Sequence, residues 1–111
     1  MTKTIKGDLT LKKDTTFKES IVVEGDIKGY FNLKVDGDLN CRNLDCWDLN
    51  CRNLDCRNLN CWDLNCKDLN FYAVAIAYLS FKCKTWKARR DKFVIQCLDG
   101  KIVGKELKEK T

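Results

Sequence analysis

Six cysteines stand five residues apart, at Cys41, Cys46, Cys51, Cys56, Cys61 and Cys66, and Cys83 and Cys97 follow outside the row. Thiols in such a row have two chemistries open to them. Convergent thiolates hold structural zinc, which takes four ligands at bonds of ~2.3 Å, and Cys41, Cys46, Cys51 and Cys56 form that set if four units close one turn. Buried thiols otherwise act as small apolar side chains that fill a narrow interior. The spacing lacks a Cys-x-x-Cys knuckle, and a leucine two residues before each cysteine competes for the same space. Filling is the stronger reading, and no cofactor is expected. Catalysis has little to draw on, since histidine is absent and serine occurs only at Ser20 and Ser80. Ser–His and Cys–His pairs and the commonest general base are therefore missing, and no enzyme is expected.

The remaining candidates are surfaces. Residues 1–37 carry a net charge of +1, residues 38–81 carry −2, and residues 82–111 carry +6. The basic excess centres on Lys82, Lys84, Trp86, Lys87, Arg89, Arg90 and Lys92. Cations interleaved with a ring can track phosphates while the ring stacks on a base, or they can dock on an acidic protein surface. A solvated, inert cap is the bland alternative. Trp47 and Trp62 are the second candidate surface, because exposed tryptophans favour contact with a partner.

The elements that position these groups are repeats. From Leu39 to Phe81 the chain reads LNCRN LDCWD LNCRN LDCRN LNCWD LNCKD, then LNFYA, VAIAY and LSFKC in the same spacing. Leucine opens the units at 39, 44, 49, 54, 59, 64 and 69, with Val74 and Leu79 continuing the row and Phe71, Ile76 and Phe81 continuing the cysteines. Before it, apolar pairs recur every six residues, at Lys3/Ile5, Leu9/Leu11, Thr15/Phe17, Ile21/Val23, Ile27/Gly29 and Leu33/Val35. Residues two apart share one face of a strand, and a short strand alone cannot shield that face. Coiling the chain turns every such face to a common axis. Three six-residue units make a turn of 18, the distance from Gly7-Asp8-Leu9 to Gly25-Asp26-Ile27.

The five-residue run resembles the pentapeptide-repeat family, which implies a right-handed quadrilateral β-helix with four units per turn. Leu and Cys fill the two inward places, where that family more often has a small residue followed by Leu or Phe. The six-residue part resembles bactofilins, whose helix is right-handed and triangular. The left-handed helix of hexapeptide acyltransferases fits less well, since a reversal of hand would break the ladder between coils, and the family's histidine base is missing. The expected fold is all-β: a right-handed parallel β-helix with triangular coils over 1–38, square coils over 39–83, and a basic cap over 84–111. Within the cap, Lys92–Cys97, Asp99-Gly100 and Lys101–Val103 predict a β-hairpin.

Square coils would stack residues 20 apart, placing Arg42 over Trp62, Trp47 over Lys67 and Arg52 over Tyr72 as cation–π pairs. Asn and Asp fill two outward rows, whose short side chains suit corners by bonding backbone and tolerating left-handed turns. The N-terminus lacks the apolar core of a signal peptide and no run reaches the ~20 apolar residues of a membrane span, so a cytoplasmic, membrane-free protein is expected, with its thiols reduced.

These features point to a non-enzymatic macromolecule-binding protein: a small phage or bacterial inhibitor, anti-CRISPR-like or directed at another nucleic-acid enzyme, that presents a rigid surface. The partner expected is another protein, a nucleoprotein complex being one form of it, with nucleic acid reachable through the basic cap. The alternative is a self-assembling, bactofilin-like structural protein, with free coil ends open to a homodimer.

Overall fold

The computed structural model describes residues 2–106, and the regular structure among them is all β. The strands are β1 (Thr2–Ile5), β2 (Leu9–Thr10), β3 (Thr15–Phe17), β4 (Ser20–Val23), β5 (Ile27–Lys28), β6 (Leu33–Val35), β7 (Leu39–Asn40), β8 (Asn43–Asp45), β9 (Asp48–Asn50), β10 (Asn53–Asn65), β11 (Asp68–Ala88), β12 (Val94–Cys97) and β13 (Ile102–Glu106). Each strand pairs in parallel with the segment one coil away, so the chain is a parallel β-solenoid of about six turns. Every coil contributes one segment to each of three faces. The first face stacks β1, β4, β7 and the opening segments of β10 and β11. The second stacks β2, β5, β8, mid-β10, mid-β11 and β12. The third stacks β3, β6, β9, the end of β10, residues 80–82 and the start of β13, whose Lys105 and Glu106 pass on to the first face beside Thr85 and Trp86.

The coil length changes in single-residue steps. Over the six-residue units partners are 18 apart, as in Leu9↔Ile27, Thr15↔Leu33 and Ile21↔Leu39. Ile27↔Leu44 and Leu33↔Leu49 then lose one and two residues, and Leu39↔Leu54 settles at 15. Three five-residue units therefore close a coil, not four, and the expected square turn of 20 is corrected by this register. The reason lies in the units themselves: a five-residue side is only one residue shorter than a six-residue side, so three sides continue across the junction without breaking the ladder. Beyond residue 56 the coils lengthen again, with Asn58↔Val74, Asp63↔Ser80 and Phe81↔Ile102 at 16, 17 and 21.

The first lengthening step rewrites the core. Leu54, Leu59 and Leu64 with Cys56, Cys61 and Cys66 line one level, all at most 6 % exposed. One coil later Phe71 and Phe81 replace Cys56 and Leu64, and both are fully buried. Two phenyl rings consume cross-section, and close packing allows no excess volume. The chain compensates by slipping one residue at Tyr72-Ala73, so that Ala75 and Ala77 take the places above Leu59 and Cys61. A slip of one residue turns every side chain over. Val74 and Ile76, expected inside, are half-buried on the outer surface, and a second slip leaves Leu79 50 % exposed.

The expected hairpin does not form. β12 and β13 pair with β11 in parallel and not with each other, completing a sixth coil. The Asp99-Gly100 turn serves as a corner between faces. Gly104 shows why the last coil is tight: at φ +148° it lies on Cys83, and a Cβ there would meet the Cys83 carbonyl oxygen and Sγ at 2.7 Å.

The Asx rows knit coil to coil. Backbone N–H groups of Asp26, Asn32 and Asn43 donate to the carboxylates of Asp8, Asp14 and Asp26 at 2.8, 3.0 and 3.2 Å. Higher up the side chains bond one another, Asn58 to Asn43 at 2.8 Å and Asn53 to Asp38 at 3.0 Å. Left-handed turns are not used by these residues, since no non-glycine residue among those described has a positive φ.

Candidate functional site: the corner rows

Residues between faces form three corners, and each corner has a predominant chemical character. Between the first and second faces the backbone N–H of Arg42 bonds Gly25, Arg57 bonds Arg42, and Arg90 bonds Tyr72, so these residues rise in one row. Between the second and third faces Trp47 bonds Phe31 and Trp62 bonds Trp47. Where the third face passes to the next coil, Arg52 bonds Gly37, Lys67 bonds Arg52 and Lys84 bonds Lys67. Arg42 and Arg57, Trp47 and Trp62, and Arg52, Lys67 and Lys84 therefore stand like over like at the strand spacing of ~4.8 Å, while Tyr72 separates Arg57 from Arg90 in the first row. The expected pairs of Arg42 with Trp62, Trp47 with Lys67 and Arg52 with Tyr72 are corrected, for a three-unit coil puts those partners on different corners.

Trp47 and Trp62 do come together. Their rings stack with centroids 4.9 Å apart and planes 16° apart, and Phe31 leans on Trp47 at 6.4 Å. Trp62 is 41 % exposed, and the slipped Tyr78 and Leu79 follow it on the next coil. Leu98 continues the ridge on the sixth coil, and Val94 lies beside Val74 on the adjoining second face. The result is an apolar surface along one corner, with Leu79, Leu98 and Val94 all exposed. Sequence reasoning missed its upper half because it extended the five-residue register through Val74 and Leu79. The alternation of Ala with Val and Ile over 73–77 was the available signal: small residues facing in leave large ones facing out.

The basic segment is divided between roles. Trp86 turns inward and packs with Phe71 and Phe93 at centroid distances of 6.2 and 5.7 Å, closing the end of the core. Arg89 reaches back across a coil to the Asp55 carboxylate at 2.5 Å and donates to the Cys56 carbonyl at 3.0 Å. Lys87 lies on the first face beside Thr85, Lys82 on the third, and Lys84, Arg90 and Lys92 are exposed at corners.

The cysteines form three inward columns, Cys41–Cys56, Cys46–Cys61 and Cys51–Cys66–Cys83. Cys56 sits a level above Cys41, so the proposed zinc set is not one ring. Among the described residues no group of three or more Cys, Asp or Glu side chains is arranged to hold a metal ion. Burial pushes the Cys41, Cys46 and Cys51 thiols up to about 12, so they stand as neutral filler. The Cys66 S–H donates to Cys83, raising the first and lowering the second. Cys83 and Cys97 are both free thiols.

No helix among the described residues is long and apolar enough to cross a membrane. No protein-family model, curated protein or solved structure matches the chain.

Proposed function

We propose that this chain is a non-enzymatic binding protein that holds an apolar corner ridge against another protein. The observation that carries this reading is the continuous run from Trp47 and Trp62 to Tyr78, Leu79 and Leu98 along one corner of the scaffold. Aromatic anchors on a rigid support are the residues that dominate protein interfaces, and turning Val74 and Ile76 outward makes sense for a face that is covered in use. The five-residue units ally the chain with pentapeptide-repeat solenoids, though at three units per coil. A small inhibitor of a nucleic-acid enzyme, anti-CRISPR-like and working in a reducing cytoplasm, is the class that this form suits. The test is capture from a nuclease-treated bacterial lysate with mass spectrometry, comparing the protein with Trp62→Ala and with Tyr78→Ser/Leu79→Ser. A specific protein captured by the parent and lost with both variants supports the reading; equal capture by all three removes the ridge from the function.

A second reading, end-to-end self-assembly, is favoured by the open edges of β1, β2 and β3, each paired on one side. Against it, Lys3 occupies an inward register above Ile21 and lays its Nζ 5.8 Å from the Phe17 ring centre. Inward charge at an end is a device that blocks edge pairing. Light scattering that shows mass growing with concentration would favour assembly over the binding reading.

A further inference from the structure

We infer that the first face is a docking surface for double-stranded nucleic acid. It is bounded by two rows rich in cations, Arg42, Arg57 and Arg90 with Tyr72 between the last two on one side, and Arg52, Lys67 and Lys84 on the other, all exposed. Among the described residues, none of these six side chains takes part in an ion pair or side-chain hydrogen bond. Like charges directly opposite on neighbouring strands destabilise a sheet. The fold repeats that cost on two corners where Asn or Ser would serve, so the rows are explained by something outside the chain.

The chemistry and spacing of the rows specify that partner. Five residues of strand at ~3.3 Å each separate the rows by about 16 Å, so they fit two anionic ridges flanking a groove, as the two backbones of a duplex do, better than one backbone. Between them the floor carries Asn40, Asn53, Asn70, Thr85 and Lys87, and Tyr72 at its border is a single exposed ring rather than the series on which single-stranded binders stack successive bases. Three carboxylates share the floor, and each is already engaged: Asp38 by Asn53, Asp55 by Arg89 and Asp68 by Thr85. The Asp–Arg pair also keeps one acid neutralised beneath an approaching phosphate.

The experiment is fluorescence anisotropy with a labelled DNA duplex of about 20 base pairs, titrated with the full chain from about 50 to 200 mM salt. Neutralising about five phosphates predicts a log–log salt slope of about −4 to −5. Arg57→Gln and Lys67→Gln should each weaken binding and reduce the slope by about 1, while their melting temperatures hold or rise because a stacked charge has gone. Lys34→Gln, exposed on the third face, should leave binding unchanged. Absence of binding at the low-salt end overturns the inference, as does equal or tighter binding of single-stranded DNA or polyglutamate. Retained affinity and slope in Arg57→Gln and Lys67→Gln, with fold confirmed by circular dichroism, overturns it too.

Discussion

Replacing Trp47 and Trp62 by alanine, singly and together, tests the three-unit coil directly. The rings are 4.9 Å apart and nearly parallel, a geometry worth about 0.5–1.5 kcal/mol beyond area burial. Trp62 is 41 % exposed, which places the pair in the lower half of that range, at about 0.5–1 kcal/mol of coupling. Trp47→Ala also forfeits the contact with Phe31, so it should cost more than Trp62→Ala. A parallel cycle with Arg42→Ala and Trp62→Ala provides the contrast, because a four-unit coil would stack those two. On different corners they should add to within about 0.3 kcal/mol. Urea unfolding at constant slope measures all the variants. Coupling between Arg42 and Trp62 with none between Trp47 and Trp62 would refute the register and, with it, the corner rows.

Leu54 lies between Leu39 and Leu69 at 1 % exposure, and Leu54→Ala should cost about 3–5 kcal/mol by transfer and cavity terms, read by denaturant midpoint. The Asp48 carboxyl is held above its ordinary value by partial burial and by Asp63 stacked beside it. The penalty for a raised carboxyl is absent in acid and grows as pH rises through its folded pKa, so Asp48→Asn should stabilise the neutral protein by less than about 1 kcal/mol; melting curves from pH 3 to about 7 should show the gain appearing with pH. The thiols of Cys41, Cys46 and Cys51 sit at about 12 when folded and near 8.5 when unfolded. Their contribution is intact below the unfolded value and is lost above it, by about 1.4 kcal/mol per pH unit for each. Stability should therefore fall by about 4 kcal/mol per unit above about pH 9 from these three alone, and Cys46→Ala should make that fall shallower by one proton.

Much of the fold was legible because its grammar is explicit. Period-two pairs at fixed spacing demand a coil, and the recurrence of Gly7-Asp8-Leu9 at Gly25-Asp26-Ile27 marks the 18-residue turn that the pairing realises. What misled was resemblance: the five-residue unit suggested four to a turn, although the outward residues in order, Arg-Trp-Arg then Arg-Trp-Lys, repeat every third unit. That order is the signature of a three-sided coil, and it also locates the basic and aromatic corners. The hairpin failed for a different reason. Asp-Gly signals a tight corner whatever follows it, and β11 offered β12 and β13 a parallel edge with apolar positions already in place. Trp86 looked like a surface ring because its neighbours are lysines, but alternation puts it inward against Phe71 and Phe93.

The single-residue steps in coil length, from 18 to 15 and back to 21, imply a rule for how such a chain can be lengthened. An extra residue inserted at a corner bulges outward and leaves the alternation of the next strand unharmed if that strand is also free to slip; the same residue inserted within a strand inverts everything up to the next corner. The pairs Tyr72-Ala73 and Tyr78-Leu79 stand where Arg57 and Trp62 stand alone one coil earlier. Corners thus serve as the joints at which this architecture can be remodelled, and surface novelty arises there without renegotiating the interior.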